Sequence, residues 1–257
     1  MHSMFKRENM GYVLLTTTIV IMVAIILKHP PIEQSQAYHD FSDSKTMVGI
    51  PNFWNVMSNL PFMIVGLMGL CKLKPITKDK TEYVFFFLGL VLVSLGSSYY
   101  HLNPNDVTLV WDRLPMCMVF MALFSMVISE FVGDRIGYVL LYPLLVLGMA
   151  SIYIWIEFND LRLYALIQFY PILAIPIILV FFKSKYDNTL GYWVLLMAYA
   201  LAKVLEHYDN PIHDHLRIIS GHSLKHISSA IGLYILLHGY VKRNKIEDEN
   251  LQECEIN

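Results

Sequence analysis

The sequence predicts an all-α, polytopic membrane protein, with a core of seven transmembrane helices preceded by one additional N-terminal helix. Three observations lead there. Of its 257 residues, 56% are hydrophobic and only 16% charged, with a mean hydropathy of +0.48, which is too apolar for a soluble domain of this length. The apolar residues gather into eight runs, each near the ~20 residues that carry a helix across a bilayer. Lysine and arginine concentrate in alternate connections between those runs, the mark of an oriented membrane chain.

Taken in order, the runs cover Tyr12–Leu27, Phe53–Leu73, Tyr83–Tyr100, Leu109–Phe131, Ile136–Ile156, Leu161–Phe182, Leu190–Leu205 and Ile218–Val241. The first follows Lys6 and Arg7 as a secretory leader would. Lys28, His29, Pro30 and Pro31 offer no small-x-small cleavage site after it, so it reads as a retained helix. Residues 1–28 are then the cytoplasmic N-terminus and extra helix, 29–51 a polar outer loop, 52–243 the seven-helix domain and 244–257 a charged cytoplasmic tail. Pro143, Pro171 and Pro176 fall inside runs, where neighbouring helices satisfy the backbone groups they free, so they predict kinks rather than breaks.

With the N-terminus cytoplasmic, twelve loop cations fall inside, from Lys6 and Arg7 through Lys78 and Lys80 to Arg243 and Lys245. Five fall outside: Lys28, Lys45, Arg113, Arg162 and Arg217. Both termini are therefore expected in the cytoplasm. A net charge of −2 and the lack of a basic stripe give no nucleic-acid signal. Cys71, Cys117 and Cys254 form neither a disulfide framework nor a cysteine metal motif. No internal repeat suggests a transporter built from two related halves, which weakens a transport reading.

Ionisable residues in membrane helices are expensive, and therefore informative. With this topology the third run travels outward to His101, the fourth returns inward past Asp112, and the eighth begins near Leu216 on the same face. Ser97 and His101 are four residues apart, on one helical face. His222 and His226 in "GHSLKH" repeat the spacing, which lets two imidazoles bind one metal ion, with His101 the natural third ligand. His222 is expected about six residues into its helix, roughly 9 Å below the outer end at 1.5 Å per residue. Singly, each of these residues is more often structural: a membrane serine bonds its own backbone, and a helix-end histidine sits in the wet interface. A haem reading fits poorly, because one helix face cannot put His222 and His226 on opposite sides of a porphyrin. The short turn Leu102 to Val107 is expected only to reverse the chain.

"GSSYYH", the aspartate of "WDRLPM" and "GHSLKH" together resemble the alkaline ceramidases, within the wider seven-helix hydrolase superfamily that also contains the adiponectin-type receptors. "NFWNVMSN" resembles the opening of that family's first core helix, and the likeness runs from about Asp40 to Arg243. The resemblance implies a zinc ion on His101, His222 and His226, Asp112 as the base that deprotonates water, and Ser97 as a donor to the developing oxyanion. It implies hydrolysis of the amide of a ceramide-like N-acyl lipid. Eukaryotic members of the family bind calcium through an acidic loop, matched here by Asp40, Asp43 and the carbonyl of Phe41. Lys45 and Asn52 stand where an amide and a carboxylate would be expected, so solvated loop acids are the plainer reading of Asp40 and Asp43. A zinc-containing receptor without turnover is the alternative function, and the pair Ser97 and Asp112 discriminates, since a structural metal needs neither. In "EHYDNPIHDH", Glu206 could pair with Lys203 or Lys225, while His207, His213, Asp214 and His215 are read as an outer loop with solvated histidines.

Overall fold

The computed structural model describes residues 2–76 and 81–246. Lys78, Lys80, Cys254 and the tail from 247 lie outside the described residues. Eleven helices are present among them: α1 (His2–Lys28), α2 (Phe53–Met57), α3 (Leu60–Cys71), α4 (Leu73–Ile76), α5 (Thr81–Leu102), α6 (Asp106–Phe131), α7 (Asp134–Phe158), α8 (Arg162–Phe181), α9 (Leu190–His207), α10 (Asp209–Leu216) and α11 (Gly221–Lys242). A 3-10 turn, Gln36–His39, precedes α2. The only β pairings among the described residues are the isolated bridges Met47–Ile50 and Tyr186–Lys245.

Six helices are long and apolar enough to cross a membrane: α1 from Lys6, the α2–α3 unit, and α5 to α8. Helices α9 and α11 pack against each other, and their polar residues Lys203, Glu206, His222, Lys225 and His226 face the site described below. Large apolar side chains such as Leu27, Phe158 and Met197 remain exposed on the outside, as a lipid-facing surface requires. Helices α7 and α8 run unbroken through Pro143, Pro171 and Pro176.

Three local features depart from the sequence reading. The second run is two helices, not one. Pro61 at the start of α3 has no N–H to continue the ladder of α2, and the Asn59 amide turns back to the Asn55 carbonyl at 2.8 Å. Residues 209–216 form α10 instead of an open loop. Helix α11 starts at Gly221, because Ser220 caps it by accepting from the Ser223 N–H at 3.2 Å. His222 is therefore in the first turn, and the expected six-residue depth is corrected.

The connections at one end of the bundle are pinned by polar contacts. Arg162 pairs with Asp160 at 2.7 Å and donates to the carbonyls of Ile26 and His29, tying α1 to α8. Hydrogen bonds from Arg162 hold the Asp160 carboxyl below the usual carboxylate range. The 102–107 turn does more than reverse the chain. Asn105 and Thr108 form a capping box at the start of α6, and Asp106 takes His39 at 3.0 Å and Gln36 at 2.9 Å, so the turn also anchors the outer loop.

At the opposite end of the bundle a charged pair is buried. Arg243, counted from sequence as a loop cation, is buried and donates to Glu130 at 2.8 Å. Glu130 also accepts from Tyr83 and, at 2.8 Å, from Tyr192. The guanidinium lies 3.7 Å from the Tyr186 ring centroid and 4.4 Å from that of Tyr240. One ion pair thus joins α5, α6, α9 and α11.

Candidate metal centre

His101 stands at the last turn of α5, and His222 and His226 at the first two turns of α11. All three are buried. Their ligand atoms lie within 4.8 Å of one another, and they form the one cluster of three or more potential metal ligands among the described residues. His101 and His222 point Nε2 at each other across 3.3 Å. That exceeds the ~2.7–3.2 Å of ordinary hydrogen bonds. It matches the ~3.3 Å between two nitrogens on a tetrahedral zinc with bonds of about 2.0–2.1 Å.

The surrounding bonds set the imidazoles. Ser58 Oγ donates to the Asn55 carbonyl at 3.2 Å, so its lone pairs are left to accept from His226 Nδ1 at 2.8 Å. That assigns the proton to Nδ1 and leaves Nε2 free to act as a ligand. Ser58→Ala is accordingly expected to weaken the affinity of the triad for a metal ion about 10- to 100-fold with the helices intact, as measured by competition with a chelator. His101 Nδ1 is buried without a partner, while its carbonyl, exposed at the end of α5, accepts from Asn52 at 2.8 Å. Asn52 thus closes a helix end, and its left-handed backbone, φ +49°, suits asparagine.

Helix α11 is seated by contacts at its first turn. Asp209 Oδ1 accepts from the His222 N–H at 2.6 Å, and Oδ2 accepts from the Ser42 N–H and hydroxyl. Asn55 Oδ1 accepts from Ser223 at 2.8 Å. A Cβ on Gly221 would fall 2.2 Å from the Leu205 carbonyl oxygen, so only glycine lets α11 start against α9. Gly96 does the same between α5 and α6, where a Cβ would fall 1.9 Å from the Trp111 carbonyl oxygen. That close approach packs α5 on α6 where Ser97 and Asp112 line the same cavity.

The three histidines, Ser97 and Asp112 all line one cavity of about 280 Å³. Its walls are apolar, with Phe86, Leu90, Leu123 and Ile175 among them. Glu206 does not choose between its two candidates but pairs with both Lys203 and Lys225 at 2.8 Å. Phe41 covers the triad, its ring 4.7 Å from that of His101 and 4.5 Å from that of His222.

The calcium candidates are built differently. Asp40 is exposed. Asp43 is buried, with one oxygen accepting from the Lys45 N–H and the other unpartnered, while the Lys45 ammonium reaches the Arg217 carbonyl. His207 and His215 are exposed, as read from sequence.

Sequence reading missed Ser58, Asn55, Asp209 and Phe41. The serine and asparagines were visible in "NFWNVMSN", where residues three and four apart share a helical face, but nothing in that spacing names His226 as the target. A protein-family model described as Ceramidase matches residues 39–254. No curated protein matches the chain.

Proposed function

The chain belongs to the ceramidase family, and from that premise we propose that it is a zinc-dependent intramembrane hydrolase cleaving the amide of a ceramide-like N-acyl lipid. The observation that carries this reading is a buried triad of imidazoles opening, beside Ser97 and Asp112, onto a cavity with apolar walls. His101, His222 and His226 would hold the metal. Bound there, zinc supplies Lewis acidity, polarising a carbonyl and bringing the pKa of water near 7.

The chain's own residues divide the remaining work. Phe86, Leu90 and their neighbours bury the acyl chain, at roughly 0.8 kcal/mol per methylene, and so fix the carbonyl near Ser97. Ser97 Oγ donates to the oxygen of that carbonyl as charge develops on it. Asp112 accepts a proton from the attacking water and returns it to the nitrogen as the C–N bond breaks. The products are a fatty acid and a lipid amine. In this reading the first helix is retained, seven helices form the core behind it, both termini face the cytoplasm, and the site lies toward the outer face.

Purified protein in detergent is expected to contain one zinc per chain and to release fatty acid from at least one of a panel of N-acyl lipids. Stoichiometric zinc with no hydrolysis of any of them would favour the receptor reading. Asp112→Asn is expected to keep its zinc and lose turnover by about 10²–10⁴-fold. Retained turnover would remove Asp112 from the mechanism.

A further inference from the structure

The polar end of the cavity carries a charge arrangement that amide cleavage does not use. Arg113 follows Asp112 on α6, lines the same cavity and is 5% exposed. Three aromatic rings hold its guanidinium, with centroids at 5.2 Å (Tyr38), 4.5 Å (Trp155) and 4.9 Å (Tyr164). Ring faces attract the cation but accept poorly from the N–H bonds in its plane. Nη1 is buried with no hydrogen-bond partner, and Arg113 joins no ion pair among the described residues.

The acids on this side of the molecule are already engaged. Asp106 holds His39 and Gln36, Asp160 holds Arg162, and Glu206 is shared by Lys203 and Lys225. Among the described residues, Asp112 forms no ion pair with Arg113. Among the residues lining the cavity, three cations face two carboxylates, so with neutral imidazoles the site carries one positive charge in excess. A buried, incompletely paired cation is unfavourable unless something closes it, and a bound anion would do so.

We infer that this cavity selects N-acyl lipid amines carrying an anionic group, a carboxylate or a phosphate, within a few atoms of the amide nitrogen, and that Arg113 is the residue that reads it. This inference rests on the hydrolase reading above and adds the substrate class. Arg113 and Asp112 line the same cavity, which puts a bound anion in the chamber that holds the scissile bond. The planar fork of a guanidinium suits the two oxygens of either group. Ceramide itself, with a neutral headgroup, would leave the excess charge uncompensated.

The test uses the full-length protein and two chain-matched pairs: N-palmitoylglycine against N-palmitoylethanolamine, and ceramide 1-phosphate against ceramide. The expected kcat/KM preference for the anionic member is roughly 10- to 100-fold in at least one pair, the worth of a charged hydrogen bond in a dry site. The pair that shows it identifies the anion. Arg113→Gln should cut that preference by about tenfold or more, chiefly through KM, and Arg113→Lys should restore part of it. Equal use of both members in both pairs, or a preference that survives Arg113→Gln, would overturn the inference. If no amide is hydrolysed, the hydrolase reading fails on its own, and binding decides this one. Ketone isosteres with CH2 in place of the amide NH, ending in carboxylate or in hydroxymethyl, should then differ in Kd by about tenfold in wild type and converge in Arg113→Gln. Equal Kd values in wild type would overturn it.

Discussion

Replacing His222 and His226 together by alanine is expected to yield a folded helical protein that retains no zinc and releases no fatty acid. In the proposed site the two residues would supply two of the three ligands, and the remaining imidazole of His101 could not hold a metal by itself. The fold should survive because α11 is anchored by other groups. Ser220 caps it, Asn55 holds Ser223, and Gly221 seats it against α9. Alanine also favours helix more than histidine does, by a few tenths of a kcal/mol per residue. The measurement is zinc content by elemental analysis alongside circular dichroism. Wild-type zinc in the double variant would dismiss this ligand set, and loss of helix would show that the imidazoles pack more than they bind.

Arg243→Ala should be the most destabilising single substitution at the other end of the bundle. It strands Glu130 in a buried site with two tyrosine hydroxyls but no cation. Breaking a buried pair by removing one partner costs about 3–5 kcal/mol, which would appear as a large fall in the detergent unfolding midpoint. Removing both charges, as Glu130→Met with Arg243→Met, should recover most of that loss, because no uncompensated charge remains. A single variant as stable as wild type, or a double variant no better than the single, would show that the four helices are held by apolar packing alone. The pair lies at the opposite end of α6 from Asp112, so zinc content should not change in either variant.

The helices were legible in the sequence because their signal is long and cumulative. Each of the eight runs coincides with a described helix or helix pair to within a few residues, except at the start of α1, where ten residues, six of them charged or polar, extend the helix beyond its apolar run. What escaped were features decided by single bonds. The break between α2 and α3 depends on Pro61 and the Asn59 amide, and the start of α11 on the Ser220 hydroxyl. The site divides in the same way. His101, His222, His226, Ser97 and Asp112 could be proposed because i,i+4 spacing and a membrane setting make such residues conspicuous, and they do line one cavity. Ser58 could not, since its partner His226 is 168 residues away. Arg113 and Arg243 were counted as loop cations marking topology, and both are buried. Charge counting records which side a residue is on, not whether it reaches water.

Phe41 has a consequence for exchange kinetics. Its ring covers two of the three imidazoles. The loop that carries it is fastened on both flanks, by His39 to Asp106 and by Ser42 to Asp209, and Asp209 in turn holds the first turn of α11. An ion held by the triad could not leave past that ring while the fastenings hold. Along that route the rate of metal loss to a chelator would follow how often this loop opens, so a weakened fastening such as Asp106→Ala is expected to speed metal loss without altering a single ligand.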